Sequence, residues 1–297
     1  MGRSLYASTA VTPTQNTGQH ETVLAFLVAR FPRIAEAVWR ERMQQGYVHW
    51  EDESLIKEDT PFKANAKVMY YRDVPDEPVI PFEEAVIFQD DELLVACKPH
   101  FLPVTPGGVY VEQCLLNRLR QKTGIGALTP IHRIDRDTAG LVMFSVNPET
   151  RGCYQQMFAQ GTVKKTYHAV AVCDNDSLVS QRWLIENRME KAEQWFRMAI
   201  TDGDVNARST VHCLSVQSGR GLFELSPITG KTHQLRVHMD SLGFPIENDR
   251  LYPIALPQAA DDYNKPLQLL AREVTFVDPV TGQARHFTST RELNWVG

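Results

Sequence analysis

The chain contains the segment Ile131-His132-Arg133-Ile134-Asp135-Arg136-Asp137-Thr138-Ala139-Gly140-Leu141, which runs directly into the apolar residues Val142-Met143-Phe144. The carboxylate of Asp135 stands between two arginines, just before the apolar run. A carboxylate beside guanidinium groups stays ionised, because the opposite charge favours its anionic form. The segment therefore predicts an anionic side chain that faces a cationic or electron-poor group.

This segment resembles the catalytic motif of RluA-type pseudouridine synthases, whose usual form is His-Arg-Leu-Asp-Arg-x-Thr-Ser-Gly-Leu. Ile134 stands in place of the leucine and Ala139 in place of the serine. Further segments resemble the family in the same order: Lys164-Lys165-Thr166-Tyr167, Thr229-Gly230-Lys231-Thr232-His233-Gln234-Leu235-Arg236-Val237-His238, and Gly243-Phe244-Pro245-Ile246 with Asp249, Tyr252 and Leu269-Leu270-Ala271. The resemblance implies an enzyme that breaks the N-glycosidic bond of a uridine in RNA, turns the base over and rejoins it through carbon.

The resemblance implies three catalytic residues, Asp135, Tyr167 and Arg236. Breaking the C1′–N1 bond builds oxocarbenium character on the sugar, which a nearby carboxylate can stabilise or trap, and the resemblance implies that Asp135 is this nucleophile. Tyr167 is implied to stack on the flipped uracil, and its hydroxyl could help to remove the C5 proton. No metal or other cofactor is expected. Attack at C1′, attack at C6 and a glycal route all begin with the same aspartate and stay open.

Arg236 is the residue that the resemblance pairs with the nucleophile. The apolar stripe Leu235, Met239 and Leu242 predicts a helix that Thr232 caps and Gly243 ends. Arg236 lies one step round from this stripe, so it can sit at the core edge and reach a cleft. An opposite charge at that place lowers an aspartate pKa by about 1–3 units. The alternative is an ordinary helix pair between Arg236 and Asp240.

Several residues are predicted to contact RNA. An enzyme that acts on a base inside folded RNA must extrude that base, and Arg133 is hypothesised to enter the stack where it leaves. The predicted phosphate contacts are Arg136, Lys164, Lys165 and Lys231. His233 is placed with the RNA-binding residues, and it is expected to position its neighbours rather than to bind a metal.

The distribution of charge leaves two interpretations open. A net charge of −5 argues against a protein that coats nucleic acid by bulk electrostatics. Acidic residues crowd the stretch from Asp73 to Glu92, whereas the residues around the motif are basic: Arg118, Arg120, Lys122, Arg133, Arg136, Arg151, Lys164 and Lys165. This pattern fits a locally positive cleft, and it equally fits an ordinary mix of solvated charges.

The composition predicts a soluble globular protein. The 297 residues, 43% of them hydrophobic, suffice for one domain of ordinary size and a smaller one. No apolar run approaches the ~20 residues that cross a bilayer, so we expect a cytoplasmic monomer without membrane contact. The five cysteines are widely spaced and form no Cys-x-x-Cys pair, which favours buried thiols in a reducing compartment over a zinc site.

The predicted elements divide the chain into a disordered lead-in at 1–16, a small module at 17–72, a proline-rich linker at 73–83 and a larger domain at 84–297. In the larger domain the strands outnumber the helices and lie too close together for βαβ crossovers. The predicted fold class is therefore α+β, with a mostly antiparallel mixed sheet.

The small module resembles the S4-type RNA-binding module often found at the N-terminus of these synthases. Two helices, near 21–31 and 34–46, precede strands near 47–50 and 66–71. The basic face of the module would consist of Arg30, Arg33, Arg40 and Arg42. The alternative is a packing domain without RNA contact. The module favours ribosomal RNA as the substrate, while transfer RNA stays possible.

Three other functions are compatible with parts of the sequence. Asp135-Arg136-Asp137-Thr138 is similar to the core of haloacid-dehalogenase phosphatases, but His132-Arg133 interrupts the apolar strand that this family places before its first aspartate. Gly230-Lys231-Thr232 is similar to part of a P-loop, which would need glycine where Leu225 stands. The third rival is an RNA-binding protein that keeps the synthase fold without activity.

Overall fold

The structure is a computed structural model that describes residues 2–15, 20–74, 77–257 and 259–295. Contacts between residues divide the chain into two compact units. The first comprises Met1–Pro78 and Gly107–Glu112, and the second comprises Val79–Pro106 and Gln113–Gly297. The boundary after Pro78 falls inside the predicted linker, whereas nothing in the sequence indicated that Gly107–Glu112 groups with the first unit. In the described residues, no helix is long and apolar enough to cross a membrane.

The first unit places two helices beside a small antiparallel sheet. Its elements are β1 (Gly2–Arg3), β2 (Ser8–Val11), α1 (Val23–Arg30), α2 (Glu36–Gln44), β3 (Val48–Trp50), β4 (Lys67–Tyr70) and β5 (Asp73–Val74). The three-stranded sheet has the order β2-β4-β3, and β1 pairs with β5. The hydroxyl of Thr22 caps α1 by accepting from the Ala25 N–H at 3.2 Å. Trp39 is fully buried and packs against the rings of Phe31 and Tyr70.

The structure corrects two of the predicted boundaries. Residues 8–11 form β2 instead of a disordered lead-in, because they pair with β4 and bury Ala10 in the module core. The predicted linker begins with a strand, β5, which pairs with β1. Both strands are too short to show a hydrophobic period, and their partners lie about sixty or more residues away in the sequence, so local pattern did not reveal them. Residues 1, 16, 75 and 76 of these predicted segments lie outside the described residues.

The second unit is built on one large sheet. Its elements are β6 (Ala85–Gln89), β7 (Leu93–Lys98), α3 (Leu115–Thr123), β8 (Thr129–Pro130), β9 (Ala139–Ser145), α4 (Arg151–Ala159), β10 (Lys164–Val172), a short 3-10 helix (Asp176–Leu178), β11 (Arg182–Lys191), β12 (Met198–Thr201), β13 (Ala207–Gln217), β14 (Arg220–Pro227), α5 (Gln234–Ser241), β15 (Leu269–Val277) and β16 (Ala284–Thr288). The sheet has eleven strands in the order β12-β11-β13-β14-β10-β15-β9-β7-β6, with β16 beside β15 and β8 beside β9.

The predicted α+β class with a mostly antiparallel mixed sheet is confirmed. Among the described strands of this sheet, β9 and β15 form the one parallel pair, and the other ladders are antiparallel. The parallel pair joins the β6–β9 part of the sheet to the β10–β15 part. Every residue of β7 and β9 is buried, and apart from Lys98 and Ser145 at their ends the two strands are continuous apolar runs. The loop that carries Asp135 leads directly into β9.

Candidate active site

The loop 131–138 holds Asp135 immediately before β9, and main-chain contacts define its course. The Thr138 N–H donates to the Asp135 carbonyl at 3.2 Å, which closes a turn around the aspartate. At the start of the loop, the Met143 N–H donates to Nε2 of His132 at 3.2 Å. The His132 ring stacks on Phe158 with its centroid 4.6 Å away. Asp135 and Asp137 both lie in this loop and not on a strand.

Lys98, the last residue of β7, ties this loop to the sheet. Its ammonium group is fully buried and donates to three main-chain carbonyls, those of Pro99 at 2.9 Å, Leu102 at 2.7 Å and Arg136 at 2.8 Å. Burial lowers the pKa of Lys98 to about 7, although the nearby charges of Asp137 and Asp135 act in the opposite direction. Three carbonyl acceptors need all three ammonium protons, so the protonated form is the one that satisfies every partner.

His100 makes a second contact with the same loop. Its Nδ1 lies 2.7 Å from the Asp137 carbonyl, and a carbonyl can only accept, so Nδ1 carries a proton. Burial lowers the pKa of His100 to about 4, which keeps the ring neutral. Lys98 and His100 thus bind the carbonyls of two consecutive loop residues, Arg136 and Asp137. No motif in the sequence indicates that either side chain belongs to the site.

The next residue, Phe101, has a left-handed backbone with φ +65°. A non-glycine side chain is strained in this region. Phe101 is buried and contacts the rings of Phe82 and Tyr263. This aromatic packing stabilises the turn that follows Lys98.

Arg236 is the cation that approaches Asp135. It lies in α5, with its side chain 3% exposed, and its Nη1 is 3.4 Å from Oδ2 of Asp135. Its other nitrogens form a bidentate pair with Asp249, Nε to Oδ2 at 2.7 Å and Nη2 to Oδ1 at 2.6 Å. The side chain of Asp249 is fully buried, and its Oδ1 also accepts from the N–H groups of Leu251 and Tyr252. Asp249 therefore fixes the guanidinium so that one nitrogen points to Asp135.

The charge of Arg236 is secured by these carboxylates. Burial alone would lower the pKa of Arg236, but the hydrogen bonds and charge of Asp249, with the charges of Asp135 and Asp137, raise it above its ordinary value. The predicted alternative, an ordinary exposed helix pair with Asp240, does not describe this buried guanidinium. Asp249 belongs to the last of the segments that resemble the family, and its proximity to Arg236 in the folded chain identifies its role.

Helix α5 begins differently from the prediction. Its N-cap is His233, with φ +54°, in place of the predicted Thr232, and the N-cap makes no side-chain capping hydrogen bond. The side-chain oxygen of Gln234 accepts from the Lys231 N–H at 3.0 Å and from the Thr229 hydroxyl at 2.7 Å, which orders the entry to the helix. The left-handed turn directs His233 towards the site, where Nε2 lies 4.0 Å from Oδ2 of Asp135 and Nδ1 lies 3.1 Å from the Tyr252 hydroxyl.

Tyr167 reaches the site from β10. A register shift between Thr166 and Tyr167 marks a bulge in the β10–β15 ladder, and after it Tyr167 pairs with Ala271. Ala271 also pairs with Gly140 across the parallel β9–β15 ladder, so the two strands that flank β15 lead to Tyr167 and Asp135. Burial and the charge of Asp135 raise the pKa of Tyr167 above its ordinary value. The phenol is therefore neutral at physiological pH.

The predicted RNA-binding residues fall into two groups. Arg133, Lys164 and Lys231 are exposed. Arg136 instead forms a bidentate pair with Asp261, both contacts at 2.8 Å, and a second pair with Asp137 at 2.9 Å. Lys165 is half-buried, and burial lowers its pKa. The guanidinium of Arg136 thus has two acidic partners within the fold, and one of them, Asp261, is distant in the sequence.

Several other basic residues near the motif hold main-chain carbonyls. Arg118 donates to the carbonyls of Phe82 and Ile80 and lies 3.5 Å from Glu84. Arg120 donates to the Leu128 carbonyl, and Arg151 donates to the Ala127 carbonyl. Part of the predicted basic surface therefore stabilises main-chain structure through these hydrogen bonds.

In the first unit the basic residues also differ in availability. Arg30 and Arg33 are exposed. Arg40 pairs with Glu36 and Glu58, and Arg42 is buried beside Asp73 at 2.8 Å. The basic face expected of the module is therefore reduced, and RNA contact by this module stays a prediction. Among the described residues, no cluster of three or more histidine, cysteine or acidic side chains has the geometry of a metal site.

Comparison with known proteins identifies the family. A sequence model of RNA pseudouridylate synthases matches residues 92–241. The dual-specificity RNA pseudouridine synthase RluA of Haemophilus influenzae is 31% identical over 225 residues, which cover 73% of this chain and 96% of that protein. The chain belongs to this family and is an RNA pseudouridine synthase of the RluA type.

Two further proteins resemble this synthase. An RNA pseudouridine synthase of Synechocystis is 28% identical over 231 residues, which cover 77% of this chain and 79% of the relative. Human RNA Pseudouridylate Synthase Domain Containing 1 has a structure that aligns with a TM-score of 0.57 at 19% identity, over 72% of this chain and 86% of that one. The structural likeness supports the fold of the synthase.

The buried pair between Asp249 and Arg236 gives a prediction about stability. Asp249→Asn leaves the guanidinium of this synthase buried without its bidentate partner, so we expect a loss of about 3–5 kcal/mol in the free energy of unfolding. Urea denaturation measures the loss. The matched control is Glu186→Gln, which breaks the exposed pair with Arg208 and should cost less than about 1 kcal/mol. Equal losses for the two variants would contradict this role of Asp249.

Three neutral histidines predict that the synthase is sensitive to acid. Burial lowers the pKa values of His100 and His238 to about 4 and that of His132 to about 3. In the unfolded chain these rings titrate near about 6.5. As pH falls from about 6.5 to 4, the unfolded state takes up protons that the folded state does not, so stability decreases by up to about 1.4 kcal/mol per pH unit for each ring.

Denaturation by urea at several pH values tests this slope. The control variant is His238→Gln, which can still donate to Oδ1 of Asn187, the partner that lies 3.2 Å from Nε2 of His238. The free energy of unfolding of the variant should fall less steeply with decreasing pH, by the contribution of one ring, which is up to about 1.4 kcal/mol per pH unit. A slope equal to that of the unsubstituted synthase would show that His238 is not a neutral ring in the folded state.

Proposed function

We propose that this synthase converts uridine to pseudouridine in structured RNA with Asp135 as its nucleophile and without a metal or other cofactor. The observation that supports this role is the contact of 3.4 Å between Asp135 and the buried guanidinium of Arg236. The side chain of Asp135 remains 27% exposed, so a substrate can reach the carboxylate. The site thus combines a fixed cation with an accessible anion.

The geometry supports a role for Asp135 at the reacting centre. The guanidinium of Arg236 lies 3.4 Å from Oδ2 of Asp135, so the opposite charges attract and hold the carboxylate in place. Arg236 makes its shorter hydrogen bonds to Asp249 and contacts Asp135 through Nη1 alone. One oxygen of Asp135 is thus oriented by Arg236, and the other is left for the substrate. As the glycosidic bond breaks, positive charge develops on the sugar, and the carboxylate stabilises it or forms a covalent bond. Attack at C6 of the base needs the same anion.

Tyr167 is proposed to stack on the uracil or to donate a hydrogen bond. The raised pKa means that its phenolate is scarce at physiological pH, so a role as the base that removes the C5 proton is disfavoured. The aromatic ring requires no ionisation to stack on a base. Substituting phenylalanine for Tyr167 separates the two roles, because it keeps the ring and removes the hydroxyl.

Arg133 is proposed to occupy the space that the extruded nucleotide leaves. It is exposed, and it lies two residues before Asp135 in the same loop. Lys164 and Lys231 are proposed to contact phosphates, since both are exposed beside the elements that carry Tyr167 and Arg236. Lys165 is a weaker candidate because it is half-buried, and Arg136 is a weaker candidate because it pairs with Asp137 and Asp261. His233 is proposed to orient the site through Tyr252.

Ribosomal RNA is the favoured substrate in this proposal, and transfer RNA is the second possibility. The relative from Haemophilus influenzae is named a dual-specificity enzyme, and we extend this breadth to the present synthase as part of the proposal. RNA recognition of this kind depends on loops and shape.

The experiment that tests the function supplies the synthase with ribosomal and transfer RNA from a source that lacks pseudouridine, in the presence of EDTA. Pseudouridine is then mapped by mass spectrometry. We expect new pseudouridine at defined uridines despite the chelator. Binding without any isomerisation would contradict the proposal for these RNAs, and activity that EDTA abolishes would contradict the metal-free mechanism.

A further inference from the structure

The turn that joins β11 to β12 carries two aromatic side chains in solvent, Trp195 and Phe196, which we call the aromatic tip. Trp195 is 66% exposed and Phe196 is 42% exposed. Every other tryptophan and phenylalanine that the structure describes is buried or half-buried. The two rings lie 5.8 Å apart and nearly perpendicular. Folding thus leaves a large part of this aromatic area in water, which is unfavourable unless a ligand covers it.

The conformation of the tip is defined by its own main chain. The Ala192 N–H donates to the Arg197 carbonyl at 3.0 Å, and the Arg197 N–H donates to the Gln194 carbonyl at 2.8 Å. Below the turn, β11 and β12 continue as an antiparallel ladder in which Lys191 pairs with Met198. These bonds hold the aromatic tip at the end of a closed hairpin at one edge of the large sheet.

The base of this hairpin is attached to the helix that carries Arg236. Met189 and Met198 of the hairpin pack with Tyr252 and with Val237, the residue after Arg236. The Met198 N–H also donates to the Tyr252 hydroxyl at 2.8 Å. The hairpin and the catalytic part of α5 therefore share one small core, which places the tip at a fixed position relative to the site.

Side chains connect the aromatic tip to Asp135 step by step. The guanidinium of Arg197 lies 4.9 Å from the centre of the Tyr252 ring and donates to the Pro253 carbonyl at 2.8 Å. The guanidinium of Arg236 lies 5.4 Å from the centre of the same ring. Tyr252 thus lies between Arg197, next to the tip, and Arg236, next to Asp135. The tip is separated from the reactive carboxylate by a short series of packed side chains.

We propose that the aromatic tip stacks on an unpaired base of the RNA substrate that lies near the target uridine. An enzyme that extrudes a base disturbs the stacking of its neighbours, which then need a new partner. Aromatic side chains supply one, and they accept any base because every base has a π-face. The aromatic tip is joined through Tyr252 to the site of an RNA-modifying enzyme, so we propose RNA as its ligand. The proposal rests on the RNA-modifying activity and not on the role of Asp135.

The test compares the double variant Trp195→Ala/Phe196→Ala with the unsubstituted chain. Two probes are used, a labelled stem-loop RNA with uridines in its loop and a blunt RNA duplex of the same composition. Loss of stacking should weaken stem-loop binding by about 5- to 100-fold. Duplex binding should stay unchanged, because its bases are already stacked. The dependence of affinity on salt should also stay unchanged, since the variant removes no phosphate contact.

Controls separate stacking from loss of apolar area. Leu184→Ala removes a side chain of the same strand that is 61% exposed, and it should leave stem-loop binding unchanged. Trp195→Tyr with Phe196 intact keeps a stacking face and should retain most of the affinity. With ribosomal RNA that the synthase modifies, the double variant should raise KM while kcat at saturation is preserved.

Several results would overturn the proposal. These are an unchanged stem-loop affinity, an equal loss for the duplex, a changed salt dependence, or a loss as large for Leu184→Ala. A tip that mediates self-association would appear as a change in the sedimentation of the double variant with unaltered RNA binding, and it would assign the surface to a second copy of the chain. Binding is measured without turnover, so failure of Asp135 as the nucleophile would not change these results.

Discussion

Asp135→Asn should reduce the rate of pseudouridine formation on the order of a thousandfold or more, because an amide cannot supply the anionic nucleophile that we propose for Asp135. The substitution keeps the size of the side chain. Arg236 retains its bidentate pair with Asp249, so the fold and the position of the guanidinium should persist. RNA affinity should therefore remain near that of the unsubstituted synthase. Single-turnover assays with mass-spectrometric mapping measure the rate, and filter binding measures the affinity.

Asp137→Asn is the matched control for this prediction. Asp137 lies in the same loop, and its side chain pairs with Arg136 while its carbonyl contacts His100. The substitution preserves the main-chain contact and removes a charge two residues from Asp135. We expect activity within about tenfold of the unsubstituted synthase, since the removed carboxylate touches no reacting atom. Substantial activity in Asp135→Asn, or its loss only in Asp137→Asn, would assign the nucleophile elsewhere.

The sequence predicted those features of the fold that short segments encode. The apolar runs of β7 and β9 and the alternating pattern of β13 and β14 indicate strands without any knowledge of their partners. The proline after α1 and the glycine after α2 indicated where the helices end. A mostly antiparallel sheet followed from the short spacing of the strands.

The sequence could not predict which charged residues neutralise one another. Arg136 and Asp261 lie 125 positions apart, yet their pairing changes a predicted RNA contact into an internal ion pair. Asp249 carries no local sign that it will orient Arg236, and Lys98 resembles an exposed lysine at a strand end. The prediction that Thr232 caps α5 was wrong for a related reason. The N-cap is His233, and the side chain of Gln234 orders the entry to the helix. Such partners depend on the folded chain.

Gly140→Ala should disrupt the pairing of β9 with β15 next to the candidate active site. Gly140 has φ +111°, a conformation that L side chains rarely adopt, and an added Cβ would lie 2.2 Å from the carbonyl oxygen of Ala271. The clash is with main chain, so no side-chain rotation can relieve it. Strand β9 would have to separate from β15 at the parallel pair that joins the two parts of the sheet.

The expected cost of Gly140→Ala exceeds about 4 kcal/mol, a range reached by few single substitutions. Urea denaturation and the yield of soluble protein measure it. Gly152→Ala is the matched control, because Gly152 lies in α4 with open space around its Cα, and alanine there should stabilise the helix by up to about 1 kcal/mol. Since Ala271 also pairs with Tyr167, any folded fraction of Gly140→Ala should lose activity as well. A variant as stable as the unsubstituted synthase would show that β9 and β15 do not approach as closely as this joint requires.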